Sequence, residues 1–165
     1  MIYIALGANL PSARAGAPRA TLEAALDAMN VAGIRILRRS RWYASKPVPA
    51  SDQPDYVNGA VAVETALAPA DLLARLHGIE REFGRVRGTP NEARALDLDL
   101  IAYDDRVSDG KDGGPVLPHP RLASRAFVLL PLRDIASDWR HPATGATLAS
   151  LISGLAPGSS AIPLP

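Results

Sequence analysis

The sequence predicts an α+β domain in which one antiparallel sheet carries helices packed on its face. Segments with strand alternation and segments with helical periodicity follow one another in the order strand, helix, strand, strand, helix, strand. Each helical segment begins at a proline and is followed by a glycine, which are common helix boundaries. The 165 residues, 47% hydrophobic and 21% charged, are enough for one hydrophobic core.

The first strand and helix are clear in the N-terminal residues. Residues 2–6 form a short apolar strand that ends at Gly7. A helix then runs from Pro18 to Gly33, and its buried stripe has the spacing i, i+3, i+4, i+7 of Leu22, Ala25, Leu26 and Met29. Residues 34–44 alternate as a second strand, although arginines interrupt the alternation.

The same pattern continues after a loop with three prolines at residues 45–55. Residues 56–65 predict a strand, Pro69 to Gly84 a helix, and residues 95–103 a strand. Short apolar pieces lie at 127–132 and 148–151. We expect a single domain over residues 1–153 and a loosely ordered tail over 154–165. The order βαββαβ is that of ferredoxin-like folds.

The composition excludes several classes of protein. A net charge of +1 argues against a bulk nucleic-acid binder, and no apolar stretch reaches the ~20 residues of a membrane span. The first residues lack the basic region of a signal peptide. Cysteine is absent, so the chain has no disulfide, thiolate nucleophile or zinc-thiolate site, which fits a reducing cytoplasm. We expect a cytoplasmic monomer that acts on small molecules, with no nucleic-acid or membrane partner.

Two aspartates in the last predicted strand are the strongest functional signal. Asp97 and Asp99 alternate with leucines, so both carboxylates share one face of the strand, with Cα atoms about 6.5 Å apart. Two like charges this close repel each other unless a cation lies between them. The pattern therefore predicts a divalent-metal site, although alternating Leu and Asp is also typical of a solvated sheet face without a function.

Arginines cluster around this strand in the sequence. All but two of the 18 basic residues are arginine, and Arg85, Arg94 and Arg125 lie near the aspartates or near His119. A guanidinium group matches the geometry of phosphate, which favours an Mg²⁺-dependent enzyme acting on a nucleoside triphosphate. Because no Walker A sequence is present, we expect metal and arginine to hold the phosphates. The absence of a G-x-S-x-G elbow gives acyl transfer little support.

Two other interpretations stay open at this point. In the first interpretation, the chain is another metal-dependent nucleotidyl or phosphoryl transferase on a similar sheet. In the second, it is a non-catalytic ferredoxin-like module whose aspartates are simply solvated. Diphosphate or ADP as the product would favour the first interpretation. Unchanged Mg²⁺-nucleotide affinity after Asp97→Ala or Asp99→Ala would favour the second.

Six blocks of sequence resemble one known family along nearly the whole chain. They are ALGANL at 5–10, DQPDYVN at 52–58, Glu80 with GRVR at 84–87, RALDLD at 94–99, LPHP at 117–120 and RAF at 125–127. In this order the chain resembles the 6-hydroxymethyl-7,8-dihydropterin pyrophosphokinases of folate synthesis. The resemblance implies the ferredoxin-like fold, ATP as co-substrate, and attack of the pterin hydroxymethyl oxygen on the β-phosphorus of ATP to give AMP.

The resemblance also implies a role for individual residues. Asp97 and Asp99 would hold two Mg²⁺ ions. The catalytic residues would be Arg85, Arg94, Asp97 and Asp99. The pterin would contact Ser45, Lys46, Val48, Tyr56, Asn58 and Phe127, its ring lying between the two aromatic rings. The nucleotide would contact Glu80, Arg87, Arg94, Leu100, His119 and Arg125.

The sequence departs from the family pattern in three places. Ser45 stands where threonine is usual, Lys46 stands where proline is usual, and residues 89–93 lack the usual tryptophan. These changes bear on loop closure and affinity, because the loops 45–55 and 85–93 are expected to act as lids. Phe127 could instead be a core aromatic residue, and Gly59 suggests close backbone approach by a ligand.

Overall fold

The computed structural model describes residues 1–85, 88 and 92–165. The strands are β1 (Ile2–Ala8), β2 (Arg35–Arg39), β3 (Tyr43–Ser45), β4 (Tyr56–Glu64), β5 (Asp97–Tyr103), β6 (Ser108–Asp109), β7 (Val116–Leu117) and β8 (Ile162–Pro163). The helices are α1 (Pro18–Val31), α2 (Pro69–Glu82), α3 (Ala126–Ile135) and α4 (Leu148–Ser153), with a 3₁₀ turn at Leu122–Ser124.

The main sheet is antiparallel and has β4 at its centre. Its order is β5-β1-β4-β3-β8, and β2 pairs with β4 next to β3. β1 pairs with both β4 and β5, and α1 and α2 connect the strands in the order that the sequence predicts. The ferredoxin-like α+β fold predicted from the sequence is therefore confirmed.

The two long helices have the predicted boundaries. Pro18 and Pro69 are their first residues, and Gly33 and Gly84 follow their ends with φ of 82° and 88°, which glycine adopts at little cost. Both helices pack on one face of the sheet. Their side chains share a core with Ile4, Leu6, Leu98 and Leu100.

The opposite face of the sheet carries α3 and α4, which the sequence predicted only as short apolar pieces. Val128, Leu129 and Leu132 of α3 pack with Tyr3 and Ile101 in a second core. The sequence of α3, AFVLLPLRDI, begins with an apolar run that contains a proline, and such a run resembles a buried strand. As a result, α3 and α4 cover part of the sheet face that carries Asp97 and Asp99.

The second predicted strand, 34–44, is divided into β2 and β3. The pairing register with β4 shifts between Ile36 and Arg38, and the Trp42 indole then packs across Gly59, where a Cβ would lie 2.5 Å from the ring. Trp42 is 5% exposed. The prediction that a ligand approaches Gly59 is therefore wrong, because an internal aromatic ring occupies that space.

The C-terminal residues return to the sheet, where β8 pairs antiparallel with β3. The loose order predicted for 154–165 concerns motion and stays a prediction, as does the domain boundary at 153. Along the described ranges, no helix is both long enough and apolar enough to cross a bilayer.

Candidate active site

The strand register places the predicted site residues in two rows at one end of the sheet. Gly7 on β1 pairs with Asn58 on β4 and with Asp97 on β5, while Ala5 pairs with Asp99. Directly paired residues point to the same face of a sheet. The amide and both carboxylates therefore project on one side, and the strand between them contributes only a hydrogen and a methyl group. We call Ala5 and Gly7 the floor of the site.

A cavity of about 520 Å³ opens above this floor. All six predicted pterin contacts line it, together with both aspartates and two of the predicted arginines. These residues are Ser45, Lys46, Val48, Tyr56, Asn58, Phe127, Asp97, Asp99, Arg94 and Arg125. The carboxylate face is thus part of a concave site rather than a flat solvated surface.

Arginines surround the two carboxylates, as the sequence predicts. Arg85 Nη1 and Arg94 Nη1 both contact Asp97 Oδ1, the second at 3.1 Å, and Arg125 Nη1 donates to Asp99 Oδ2 at 3.2 Å. The guanidinium groups are held beside the cavity and are at most 20% exposed. Positive charge is therefore fixed in place where phosphate oxygens would bind.

Burial and the neighbouring carboxylate both disfavour the charged form of Asp99. Burial, followed by the charge of Asp97, raises the pKa of Asp99 to about 6, although three nearby guanidinium groups oppose the rise. A bound cation would relieve this repulsion. Among the described residues no group of three or more metal-ligating side chains exists. Two carboxylates completed by phosphate and water oxygens are, however, the usual environment of Mg²⁺ in a nucleotide site.

His119 approaches Asp99 from the segment after β7, with its Nε2 3.9 Å from Asp99 Oδ2. The backbone N–H of Arg121 donates to Nδ1 at 3.1 Å, so the proton of the neutral ring is on Nε2. Burial, with the charges of Arg125 and Arg121, lowers the pKa of His119 to about 4. At neutral pH His119 is therefore an uncharged N–H donor beside the carboxylates, suited to a phosphate oxygen.

Glu80 lies beneath the site and positions Arg85. Its carboxylate is 2% exposed, accepts a hydrogen bond from Arg85 Nη1 at 2.8 Å, and accepts another from the backbone N–H of Leu98 at 2.8 Å. Burial would lower the pKa of Arg85, but the charges of Asp97 and Glu80 raise it. Glu80 is thus a buried carboxylate that joins α2 to β5.

The other end of the cavity combines a buried amide with two aromatic rings. Asn58 is 3% exposed, and its Nδ2 donates to Ser45 Oγ at 2.7 Å, which fixes the amide. Tyr56 from β4 and Phe127 from α3 bring two aromatic rings to the same cavity. Phe127 also packs against the second core, so it is both a core residue and a lining residue.

Leu100, a predicted nucleotide contact, does not line the cavity. The Leu100 side chain is 3% exposed in the core under α1 and α2, and therefore faces away from the carboxylates. Arg87, predicted to contact the nucleotide, lies outside the described residues, as does part of the loop 85–93. Lys46 and Val48 lie at the exposed rim, where Lys46 Nζ pairs with Asp55 at 2.9 Å.

Two groups of residues at the site have no role predicted from the sequence. Asn9 is 2% exposed, donates through Nδ2 to Gln53 Oε1 and to the carbonyl of Pro54, and accepts from the backbone N–H of Arg94. Its place in the ALGANL block was the available signal. The second group is C-terminal, with Ala156, Gly158 and Ser159 lining the cavity. Nothing in its Gly-, Ser- and Pro-rich composition indicates this position.

Several known proteins resemble this chain in sequence or in fold. The sequence model of the 7,8-dihydro-6-hydroxymethylpterin-pyrophosphokinase family matches residues 3–137. A protein of Synechocystis named 2-amino-4-hydroxy-6-hydroxymethyldihydropteridine pyrophosphokinase is 42% identical over 149 residues, covering 90% of this chain and 73% of the relative. The Pseudomonas aeruginosa protein of that name is 43% identical over 86% of this chain and 83% of its own length.

Some relatives are much longer than this chain. It spans 19% of the folic acid synthesis protein fol1 of Pneumocystis carinii, to which it is 39% identical over 149 residues. The crystal structure of Plasmodium falciparum HPPK-DHPS with pteroate aligns with a TM-score of 0.72 and 13% identity, over 92% of this chain and 43% of that one. That likeness shows the fold alone. With the family match over most of its length, the chain belongs to the 7,8-dihydro-6-hydroxymethylpterin-pyrophosphokinase family.

Proposed function

We propose that this chain transfers the pyrophosphoryl group of ATP to the hydroxymethyl oxygen of 6-hydroxymethyl-7,8-dihydropterin, a step of folate synthesis. The family to which it belongs is named for this reaction, and relatives at 42% and 43% identity carry the pyrophosphokinase name. ATP is the co-substrate and the pterin is the acceptor. The products are the pterin diphosphate and AMP.

The observation that carries the proposal is the row Asn58, Gly7, Asp97 across three neighbouring strands. Strands in a sheet are about 4.8 Å apart, so the amide and the carboxylate are separated by about 9.6 Å. Because Gly7 has no side chain, the space between them is open. A heterocycle held at Asn58 would therefore present its substituent toward phosphates held near Asp97.

The pterin would bind at the amide end of the cavity. Asn58 offers donor and acceptor atoms to the amide edge of the ring, and Ser45 keeps this amide in one orientation. Tyr56 and Phe127 provide apolar faces for a flat ring. Ser45, Lys46 and Val48 complete that end of the cavity from the loop after β3.

The triphosphate would bind at the carboxylate end. Asp97 and Asp99 would hold Mg²⁺, two ions in our proposal, and the ions when bound would neutralise charge on the phosphate oxygens. Arg85, Arg94 and Arg125 are already held beside the carboxylates, so little side-chain ordering is needed when phosphate binds. His119 would donate its Nε2–H to a phosphate oxygen. Arg87 stays a predicted nucleotide contact.

The reaction is a displacement at the β-phosphorus. A bond forms between the hydroxymethyl oxygen and this phosphorus, and the bond from the phosphorus to the oxygen bridging it to the α-phosphorus breaks. AMP leaves with the bridging oxygen, and the hydroxyl proton is released. The chain's own residues contribute positioning and fixed positive charge, which dominate phosphoryl-transfer catalysis.

Incubation of the protein with Mg²⁺, ATP and the hydroxymethyl dihydropterin, followed by nucleotide chromatography, tests the proposal. We expect AMP and pterin diphosphate in equal amounts, formed only when the pterin is present. ADP as the product, or nucleotide turnover that does not depend on the pterin, would contradict it. Asp109→Asn, on an exposed hairpin away from the cavity, is a control for changes of carboxylate charge.

We also propose that the protein acts as a cytoplasmic monomer. The absence of cysteine supports a reducing compartment. Sedimentation at micromolar concentration, with and without ATP, tests the monomer; a mass of twice 17.4 kDa would contradict it.

A further inference from the structure

The C-terminal segment, defined here as residues 156–165, lies at the mouth of the cavity. It follows α4 and places three residues on the cavity wall, namely Ala156, Gly158 and Ser159. The family match ends at residue 137, so this segment lies outside the part of the chain that the family model describes. It carries no role in the function proposed above.

Specific contacts hold the segment against the sheet. The backbone N–H of Ser159 donates to the carbonyl of Ala156 at 3.0 Å, and Gly158 adopts a φ of 85°, which forms a tight turn at the cavity. Ala161 is 8% exposed. Beyond the turn, β8 pairs with β3, and the backbone N–H of Leu164 donates to the carbonyl of Trp42 at 2.8 Å.

The pairing strand β3 leads directly into the acceptor end of the cavity. Its last residue is Ser45, whose hydroxyl holds the Asn58 amide. Without β8, the outer edge of β3 would present unpaired backbone groups, and the register of a three-residue strand would be fixed from one side only. The segment thus pairs with Tyr43 and Ala44, directly before Ser45, while its turn lines the cavity.

The strand β8 lies at the edge of the sheet opposite the strand that carries the two aspartates. In the sheet order β5-β1-β4-β3-β8, the strand β8 is four spacings from β5, which carries Asp97 and Asp99. At about 4.8 Å per spacing this is about 19 Å. The strand β8 is therefore remote from Asp97 and Asp99, whereas its partner Ala44 directly precedes Ser45.

We propose that the C-terminal segment forms one wall of the acceptor pocket, with Ser159 beside the bound heterocycle and β8 holding the wall in place. This inference rests on the function proposed above. The segment binds and positions the acceptor and takes no part in proton or phosphoryl transfer. Its effect is therefore confined to acceptor affinity, measured as the KM for the pterin or as pterin binding.

Two adjacent serines provide the test. Ser159 lines the cavity, whereas Ser160 is exposed and does not. We expect Ser159→Trp to fill part of the pocket and raise the KM for the pterin about tenfold or more, because the larger side chain occupies space that the heterocycle needs. The KM for ATP should stay within about twofold of the wild-type value. Ser160→Trp should change neither constant, and neither variant should lower the unfolding temperature.

Removal of the segment by a stop codon after Leu155 provides a second test. Leu155 packs against the second core, so the truncated chain keeps that contact. We expect a tenfold or greater rise in the KM for the pterin with the KM for ATP unchanged. If the truncated chain does not fold, the serine pair alone decides.

Unchanged pterin KM in Ser159→Trp, or equal effects of Ser159→Trp and Ser160→Trp, would overturn the inference. If the wild-type chain shows no pterin-dependent formation of AMP, the proposed function fails, and this inference fails with it. If the wild-type chain is active and the variants have the same KM for the pterin as the wild type, the proposed function stands. The proposal that the C-terminal segment forms a wall of the pocket is then refuted.

Discussion

Replacing Gly7 with alanine adds a methyl group to the floor of the cavity, where the proposed pterin and phosphate sites meet. The new Cβ would lie 3.1 Å from Asn58 Oδ1, and its next neighbours, on Tyr56 and Val57, would be 3.9 Å away. A 3.1 Å separation is tighter than an ordinary van der Waals contact, so the amide must move. Because Asn58 is buried and bound to Ser45 at 2.7 Å, it moves only by weakening that hydrogen bond.

The magnitude follows from these contacts. A hydrogen bond of this kind contributes about 0.5–1.5 kcal/mol, and overpacking costs about 1–3 kcal/mol. We therefore expect kcat/KM for the pterin to fall about 10- to 100-fold, equivalent to about 1.4–2.8 kcal/mol. The three atoms nearest to the new methyl group all belong to β4, on the amide side. The KM for ATP should consequently change little.

Steady-state kinetics with each substrate varied in turn measure this effect. Gly78→Ala is the matched control, because its Cβ would have only Arg81 at 3.7 Å within contact distance. This substitution within α2 should stabilise the fold by up to about 1 kcal/mol and leave both KM values unchanged. A wild-type KM for the pterin in Gly7→Ala, or an equal rise in the KM for ATP, would refute the assignment of the floor.

Three further predictions concern the metal, the loops and the fold. Asp97→Asn and Asp99→Asn should each lower kcat about 100-fold or more and leave the far-UV circular dichroism spectrum intact. EDTA should abolish wild-type turnover until Mg²⁺ is restored, and activity in EDTA would contradict the metal role. Asn9→Ala removes hydrogen bonds to Gln53, Pro54 and Arg94. We therefore expect the free energy of unfolding in urea to fall by about 1–3 kcal/mol and proteolysis within 45–55 to become faster. Proteolysis at the wild-type rate would contradict a stabilising role for these hydrogen bonds. Burial alone would raise the pKa of Asp134, but hydrogen bonds from Arg41 and Tyr43 lower it. The contribution of Asp134 to stability is therefore present above the unfolded pKa of about 3.9 and is lost as the pH falls through the folded pKa. Asp134→Asn should therefore cost about 1–2 kcal/mol at pH 7 and much less at pH 3, and an equal cost at both pH values would contradict the pairing.

Local patterns in the sequence predicted the elements that carry the chemistry. The alternation of Asp97 and Asp99 with leucines placed both carboxylates on one face, and the proline and glycine boundaries located α1 and α2. These features depend on residues close in sequence, so their physical origin is visible in the chain. The arginine cluster was also predictable once the fold class had brought the neighbouring segments together.

Features that depend on pairing between distant residues were not predictable in the same way. Gly7 becomes the floor only because one register places it between Asn58 and Asp97. Gly59 was interpreted as a ligand contact, but Trp42, from another strand, covers it. The polar residues of α3, Arg133 and Asp134, come only near its end, so the apolar run before them resembles a buried strand.

The origin of the atoms in the two products tests the central claim most directly. With ATP labelled by ³²P at the β-phosphorus, incubated with Mg²⁺ and the hydroxymethyl dihydropterin, transfer of the pyrophosphoryl group predicts that all transferred label appears in the pterin product. The nucleotide product should be unlabelled AMP. Label retained in a nucleotide product, as ADP, would contradict the assignment of this site as a pyrophosphokinase.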